Sequence, residues 1–250
     1  MAVVISELLA ANLDTLRYEP TAKHIRVSAG RHLVADTLDG LLVWEPKRLV
    51  PAYAIAEQDF SARLRPVGAV PSEHTCPGQV YDVVIGQKTR PAAAFRPDDP
   101  DLANHILLDF SAFDWREEDE PIVGHPHDPF HRIDILRSSR HVRIELDGAV
   151  LAESSRPVLL FETLLPVRFY LPRPDVSESL SPSDTVSYCA YKGQASYFSL
   201  AEKRDDIAWT YPEPLREAEP IRDLICFFDE YVDVIVDGLL RKRPVTPWSD

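Results

Sequence analysis

Apolar residues in this chain fall in short runs of five or six, seldom in long helical stripes. HVRIEL, VLLFE, SYFSL, LICFF and VDVIVD are rich in β-branched and aromatic residues, and RFYL is a shorter run of the same kind. Such residues suit a pleated, half-buried surface. HVRIEL alternates apolar and charged positions, the pattern of a strand with one wet face. Turn formers separate the runs: Asp147-Gly148, Ser154-Ser155-Arg156-Pro157, Pro172-Arg173-Pro174 and Pro212-Glu213-Pro214. The Asp147-Gly148 pair between HVRIEL and AVLAE predicts a hairpin. Helical spacing is confined to SELLAANLDTLR near the N-terminus, with Ser6 as its cap. Twenty-two prolines against nine glycines argue against long helices.

The same pattern occurs twice. His24-Ile25-Arg26-Val27 is echoed by His141-Val142-Arg143-Ile144, an offset of 117 residues (141 − 24). Without a gap, Val34-Ala35-Asp36 falls on Leu151-Ala152-Glu153, Leu42-Val43-Trp44-Glu45 on Leu159-Leu160-Phe161-Glu162, and Tyr53 on Tyr170. Farther on the register slips, and Cys76-Pro77-Gly78-Gln79 corresponds loosely to Cys189 through Gln194. A fixed offset across four blocks indicates a tandem duplication. The expected organisation is an N-terminal helical segment (1–19), a divergent first β repeat (20–120), a linker (121–139), a second β repeat (140–238) and a tail (239–250). Each repeat is expected to be a sandwich or open barrel of about seven strands, with Trp44 and Phe161 in equivalent core positions.

Composition narrows the function. With 45% hydrophobic, 27% charged and 9% aromatic residues, the chain has material for one large or two ordinary cores and is not disordered. No apolar run approaches the roughly eighteen residues of a membrane span. The opening MAVVISELLAANLD lacks a basic n-region and a small-residue cleavage site, so no signal peptide is expected. Cys76, Cys189 and Cys226 are odd in number and in no CxxC pair, which fits a reducing cytoplasm better than a disulfide framework or zinc knuckle. The net charge of −13 opposes phosphate backbones, and RSSRHVR and RKR are too short for a basic stripe; no nucleic-acid partner is expected.

Six ordered stretches then carry a resemblance. HVRIEL, DGAVLAESSRPVLLFE, RFYLPRPDV, YCAYKGQASYFSL, AWTYPEPLREAEPI and FFDEYVDVIVDG resemble the bacterial family called domain of unknown function 427, across roughly residues 141 to 238. The first copy keeps VADTLDGLLVWE and Tyr53, but has TCPGQVYDV where the family pattern is CxxKGxAxYW-like, and nothing matches AWTYPEP. The linker HPHDPFHRID resembles what tandem members carry between copies. The resemblance implies a compact β fold of β-tent type and no definite activity. A nucleotidyltransferase label is sometimes attached to the family; this chain has neither a Gly-rich phosphate loop nor a paired-aspartate metal motif.

Candidate chemistry gathers in the second copy. Lys192, Tyr191 and Glu162 are the catalytic candidates, and Gly193, Tyr197, Trp209, Tyr211, Tyr170, Arg143 and His131 the ligand-binding ones. A glycine after Lys192 permits close backbone approach, by a ligand or by a neighbouring strand. The lysine can pair with an anion or act as a base, or it can serve a turn and a nearby carboxylate. Trp209 and Tyr211 can line a concave site or fill the core. Glu162 and its counterpart Glu45 suit a structural pairing with the recurring Arg143 and Arg26, or acid–base work. Cys189 reads as an inert thiol. His125, His127 and His131 can hold a metal or form a hinge; prolines 126 and 129 leave the ring directions open, and no metal or cofactor is assigned.

Two functions follow. One is a small-molecule enzyme or binder with its pocket in the second repeat near the linker, since only that copy retains Lys192, Trp209 and Tyr211. The other is a non-catalytic interaction scaffold, since no catalytic constellation is recognisable.

Overall fold

The computed structural model describes residues 2–68, 73–177, 179–201, 203–246 and 249. The chain forms two units, Met1–Asp128 and Pro129–Asp250. The first contains α1 (Ile5–Ala10) and strands β1 (Arg17–Thr21), β2 (Ile25–Ala29), β3 (His32–Thr37), β4 (Gly40–Trp44), β5 (Ala52–Ala56), β6 (Arg63–Pro66), β7 (Gly78–Ile85), β8 (Lys88–Pro97), β9 (His105–Leu108), β10 (Asp114–Glu117) and β11 (Glu120–Pro121). The second contains β12 (Ile133–Arg137), β13 (Val142–Leu146), β14 (Ala149–Ser154), β15 (Val158–Glu162), β16 (Arg168–Leu171), β17 (Leu180–Cys189), β18 (Gly193–Leu200), β19 (Arg204–Thr210), β20 (Ile225–Phe227), β21 (Asp233–Val236) and β22 (Leu239–Leu240).

Both units are open antiparallel sheet pairs. The first has a seven-stranded sheet, β1-β4-β5-β9-β8-β7-β6, and a four-stranded one, β11-β10-β2-β3. The second runs β12-β15-β16-β20-β19-β18-β17 and β14-β13-β21-β22, the same order element for element. Registers agree as well. Ile25 faces Thr37 as Val142 faces Ser154, and a bulge follows Val27 and Ile144, which are equivalent positions. Two Asp-Gly pairs close hairpins with positive φ at both residues, Asp147-Gly148 as expected and Asp237-Gly238 between β21 and β22.

Between the sheets lies each unit's main core. Ile25, Val27 and Leu42 pack there with Tyr53 and Trp115 in the first unit; Val142, Ile144 and Leu159 pack with Phe169 and Val234 in the second. A smaller cluster covers the outer face of each seven-stranded sheet: Val43, Ala54, Phe95 and Leu107 in the first, Leu160, Tyr170, Trp209 and Cys226 in the second.

Several expectations need correction. Phe161 is not a core residue: it is 43% exposed, whereas Trp44 is 7% exposed and packs in the cluster containing Trp115. Tyr53 does not correspond to Tyr170. Tyr53 pairs with Leu42 and Phe169 with Leu159, so Phe169 takes the place of Tyr53 and Tyr170 that of Ala54. A one-residue shift moves a side chain to the opposite face of a sheet. Residues 133–137, placed in the linker, form the edge strand β12, and α1 begins after Val4 with no side-chain cap, Ser6 lying inside it.

Candidate functional site

In the second unit a buried carboxylate organises the outer face. Alternation along β15 turns Leu160 and Glu162 outward, away from the core that holds Leu159. Lys192 arrives from the turn between β17 and β18. Gly193 has φ +90° and bridges Pro214; a Cβ there would lie 3.3 Å from the Glu213 carbonyl, and Leu215 N–H donates to the Lys192 carbonyl at 3.1 Å. The close approach required of this glycine is therefore made by the protein's own backbone. Lys192 Nζ donates to both Glu162 oxygens at 2.6 Å, and His131 Nε2 lies 3.0 Å from Oε1. The side chains of Glu162, Lys192 and His131 are 8, 9 and 11% exposed. Burial alone would raise the Glu162 carboxyl, but the His131 and Lys192 contacts outweigh it and bring it down to about 2. Tyr191 lies against the His131 ring, centroids 4.6 Å apart.

The aromatic candidates are packed alongside. Trp209 Nε1 donates to Tyr170 Oη at 3.1 Å, and Tyr197 Oη lies 2.7 Å from Ser187 Oγ. Tyr170 and Tyr211 are buried, and desolvation pushes both phenols well above their ordinary range. Arg143 is not part of this group. It lies on the four-stranded sheet with Nε 2.6 Å from Glu145, and Arg26 similarly bonds Asp119, so neither arginine is the partner of Glu162 or Glu45. Lysine and histidine take that role in the second unit.

Glu45, the first unit's counterpart, has a different setting. His74 Nδ1 lies 2.7 Å from its Oε1, and Thr75 N–H donates to Oε2 at 2.8 Å. Burial would raise this carboxyl too, and these bonds, with the nearby Arg48 charge, lower it instead. The His74 ring stacks on Phe95 at 3.7 Å. Beside them opens a cavity of about 640 Å³, lined by Val43, Glu45, Ala52, His74, Val80 and Leu107 among others. Strand register explains the space. Val80 faces Phe95 as Tyr197 faces Trp209, and Ala54 faces Leu107 as Tyr170 faces Cys226. Where the second unit carries two tyrosines and a tryptophan, the first has valine, alanine and phenylalanine.

His74 escaped the sequence reading, although a signal existed. Val80 and Tyr197 are 117 residues apart, so the offset, one shorter at β5 (169 − 53 = 116), is restored at β7 and sets Thr75 on Lys192 and His74 on Tyr191. Matching Cys76 to Cys189 hid this. Cys76 is a free thiol that burial and the Glu45 charge push up to about 11, making it a poor nucleophile. Among the linker histidines, His125 lines the first-unit cavity and His131 binds Glu162. Among the described residues no group of three or more His, Cys, Asp or Glu side chains is arranged to hold a metal ion, and no helix is long and apolar enough to cross a membrane.

No curated protein matches the chain. The family model described as Domain of unknown function (DUF427) matches residues 134–238, the stretch from β12 to the β21–β22 turn that holds Glu162, Lys192, Tyr170 and Trp209, and this match supports membership of that family for the second half of the chain.

Proposed function

We propose that the protein binds a small molecule in the first-unit cavity beside Glu45, and that its two units descend from one duplicated domain. Identical strand order and the shared offset support the duplication. A cavity of about 640 Å³ bounded by a buried carboxylate and an imidazole carries the binding reading. Sites for small ligands are typically about 300–1,000 Å³, mostly apolar, with a few placed polar groups. The division of labour is the reverse of that suggested by the family motifs. At Lys192 a ligand would have to displace a carboxylate already held by two bonds of 2.6 Å, a costly exchange for a buried pair. We place the activity in a reducing cytoplasm, in keeping with three free cysteines.

The test is a thermal-shift screen against a metabolite library on the parent and on Val80→Tyr, which copies the second unit's Tyr197 into the cavity wall. A ligand at about one hundred times its Kd stabilises by ~2.7 kcal/mol, several degrees of melting temperature. The shift is expected in the parent and not in Val80→Tyr. Ala52→Leu serves the same purpose should the tyrosine prevent folding. A ligand that shifts all three proteins equally would place binding elsewhere, and a library with no hits would favour the scaffold reading.

A further inference from the structure

We infer that residues 122–128 form a strap that gates the first-unit cavity, with Glu117 as its latch; as the control of a binding site, this rests on the reading above. The strap leaves β11 at Ile122, whose N–H donates to the Trp115 carbonyl at 3.2 Å. It then turns sharply: Gly124 has φ +80°, and His125 N–H donates to the Val123 carbonyl at 3.0 Å. Gly124 and His125, at this turn, line the cavity. Val123 and Gly124 are exposed, whereas Pro126 and Asp128 beyond them are buried. An exposed turn between held ends is the kind of segment that opens locally while its unit stays folded.

The latch is built from the first unit's own core. Glu117, on β10, is 9% exposed. Its Oε1 accepts from Tyr53 Oη at 2.7 Å and from His127 N–H at 3.3 Å. Lys23 Nζ donates to its Oε2 at 2.6 Å and to the His127 carbonyl at 3.1 Å. Both backbone groups of His127 are thus tied to one buried carboxylate, directly or through Lys23, by bonds of the stronger, charge-assisted kind. The second unit shows that the fold does not require this arrangement. Ile25 faces Glu117 as Val142 faces Val236, and Phe169 takes the place of Tyr53. Arg140, 117 residues after Lys23, bonds Asp237 instead. Two apolar residues satisfy the sheets there, and the polar pair accompanies the unit whose cavity the strap lines.

The test reads access to the cavity without any ligand. Val43→Cys places a thiol on the cavity wall at a residue 1% exposed, and Val27→Cys places one in the main core of the same unit, at a residue 0% exposed. Each is labelled with N-ethylmaleimide and followed peptide by peptide by mass spectrometry. Tyr53→Phe with Glu117→Val copies the second unit and removes donor and acceptor together, a change the core tolerates better than losing one partner. It is expected to speed labelling at position 43 about tenfold, the size of one or two lost hydrogen bonds, and to leave position 27 unchanged. Glu117→Gln keeps an acceptor for both donors and is expected to stay near the parent rate. Should the double variant fail to fold, Gly124→Ala strains the turn from outside the core and is expected to speed labelling at position 43 in the same way. A rate at position 43 that neither the double variant nor Gly124→Ala raises, or one that rises equally at position 27, overturns the strap. A metabolite screen without hits would remove the binding reading and leave the rate difference standing; hits abolished by Val80→Tyr with the rate unmoved would do the opposite.

Discussion

Of the roles open to Lys192, the structure shows the turn and the nearby carboxylate: it is 7% exposed and bonded to both oxygens of Glu162. Lys192→Ala leaves a buried carboxylate with only His131 beside it, and breaking such a pair costs about 3–5 kcal/mol. We predict a loss of that size in denaturant unfolding, with the double change Lys192→Met, Glu162→Met less costly than the single one. A loss under about 1 kcal/mol would show that water solvates the pair. Two carboxyls also give the second unit opposed pH limits. Glu162 lies at about 2 against an ordinary 4.5, so its contribution is present above pH 4.5 and disappears as pH falls towards 2. Asp229, buried beside Arg168 and Glu230, is pushed up to about 7 from 3.8; its contribution is full below 3.8 and is lost as pH rises through 7. Melting temperature across pH should therefore peak at about pH 4, where the two ranges meet, and fall on either side, with Glu162→Gln flattening the acid limb and Asp229→Asn the limb that descends towards pH 7. Unchanged profiles in both variants would contradict these assignments.

Among the elements, the hairpins were legible and the pairing across the sheets was not. Asp147-Gly148 announces its turn through local backbone preference, and strand runs such as VLLFE announce themselves by composition. Edge strand β12 lies in a Pro- and His-rich stretch that reads as linker, because its membership in the sheet comes from pairing with β15 rather than from its own residues. Tyr53 was misassigned by one residue for the same reason: the length change falls between β4 and β5, and only the ladder reveals it. Gly193 tests the local geometry. At φ +90° with backbone atoms 3.3 Å from a would-be Cβ, Gly193→Ala should cost about 1–2 kcal/mol, more than Gly148→Ala, where nothing lies within 4 Å. Equal costs at the two sites would mean that the Pro214 segment yields freely.

Across the whole molecule, family motifs drew attention to the second unit while the cavity lies in the first. Motifs are made of large, chemically distinctive side chains, and here Tyr170, Tyr197 and Trp209 fill the outer face that they mark. The first-unit cavity opens beside Val80, where the second unit has Tyr197, and a small residue carries no pattern that a sequence reading can seize. The retained carboxylate at Glu45 and Glu162 was visible; its partners His74 and Lys192 were separated by an alignment slip at the cysteines. The most direct test of a first-unit binding site is a crystal of the protein soaked with a fragment library. Our account predicts fragment density beside Glu45 and His74, between Val80 and Leu107, with the Lys192–Glu162 pair undisturbed. Fragments seated at Lys192 and Trp209, with the first-unit cavity empty of them, would contradict it.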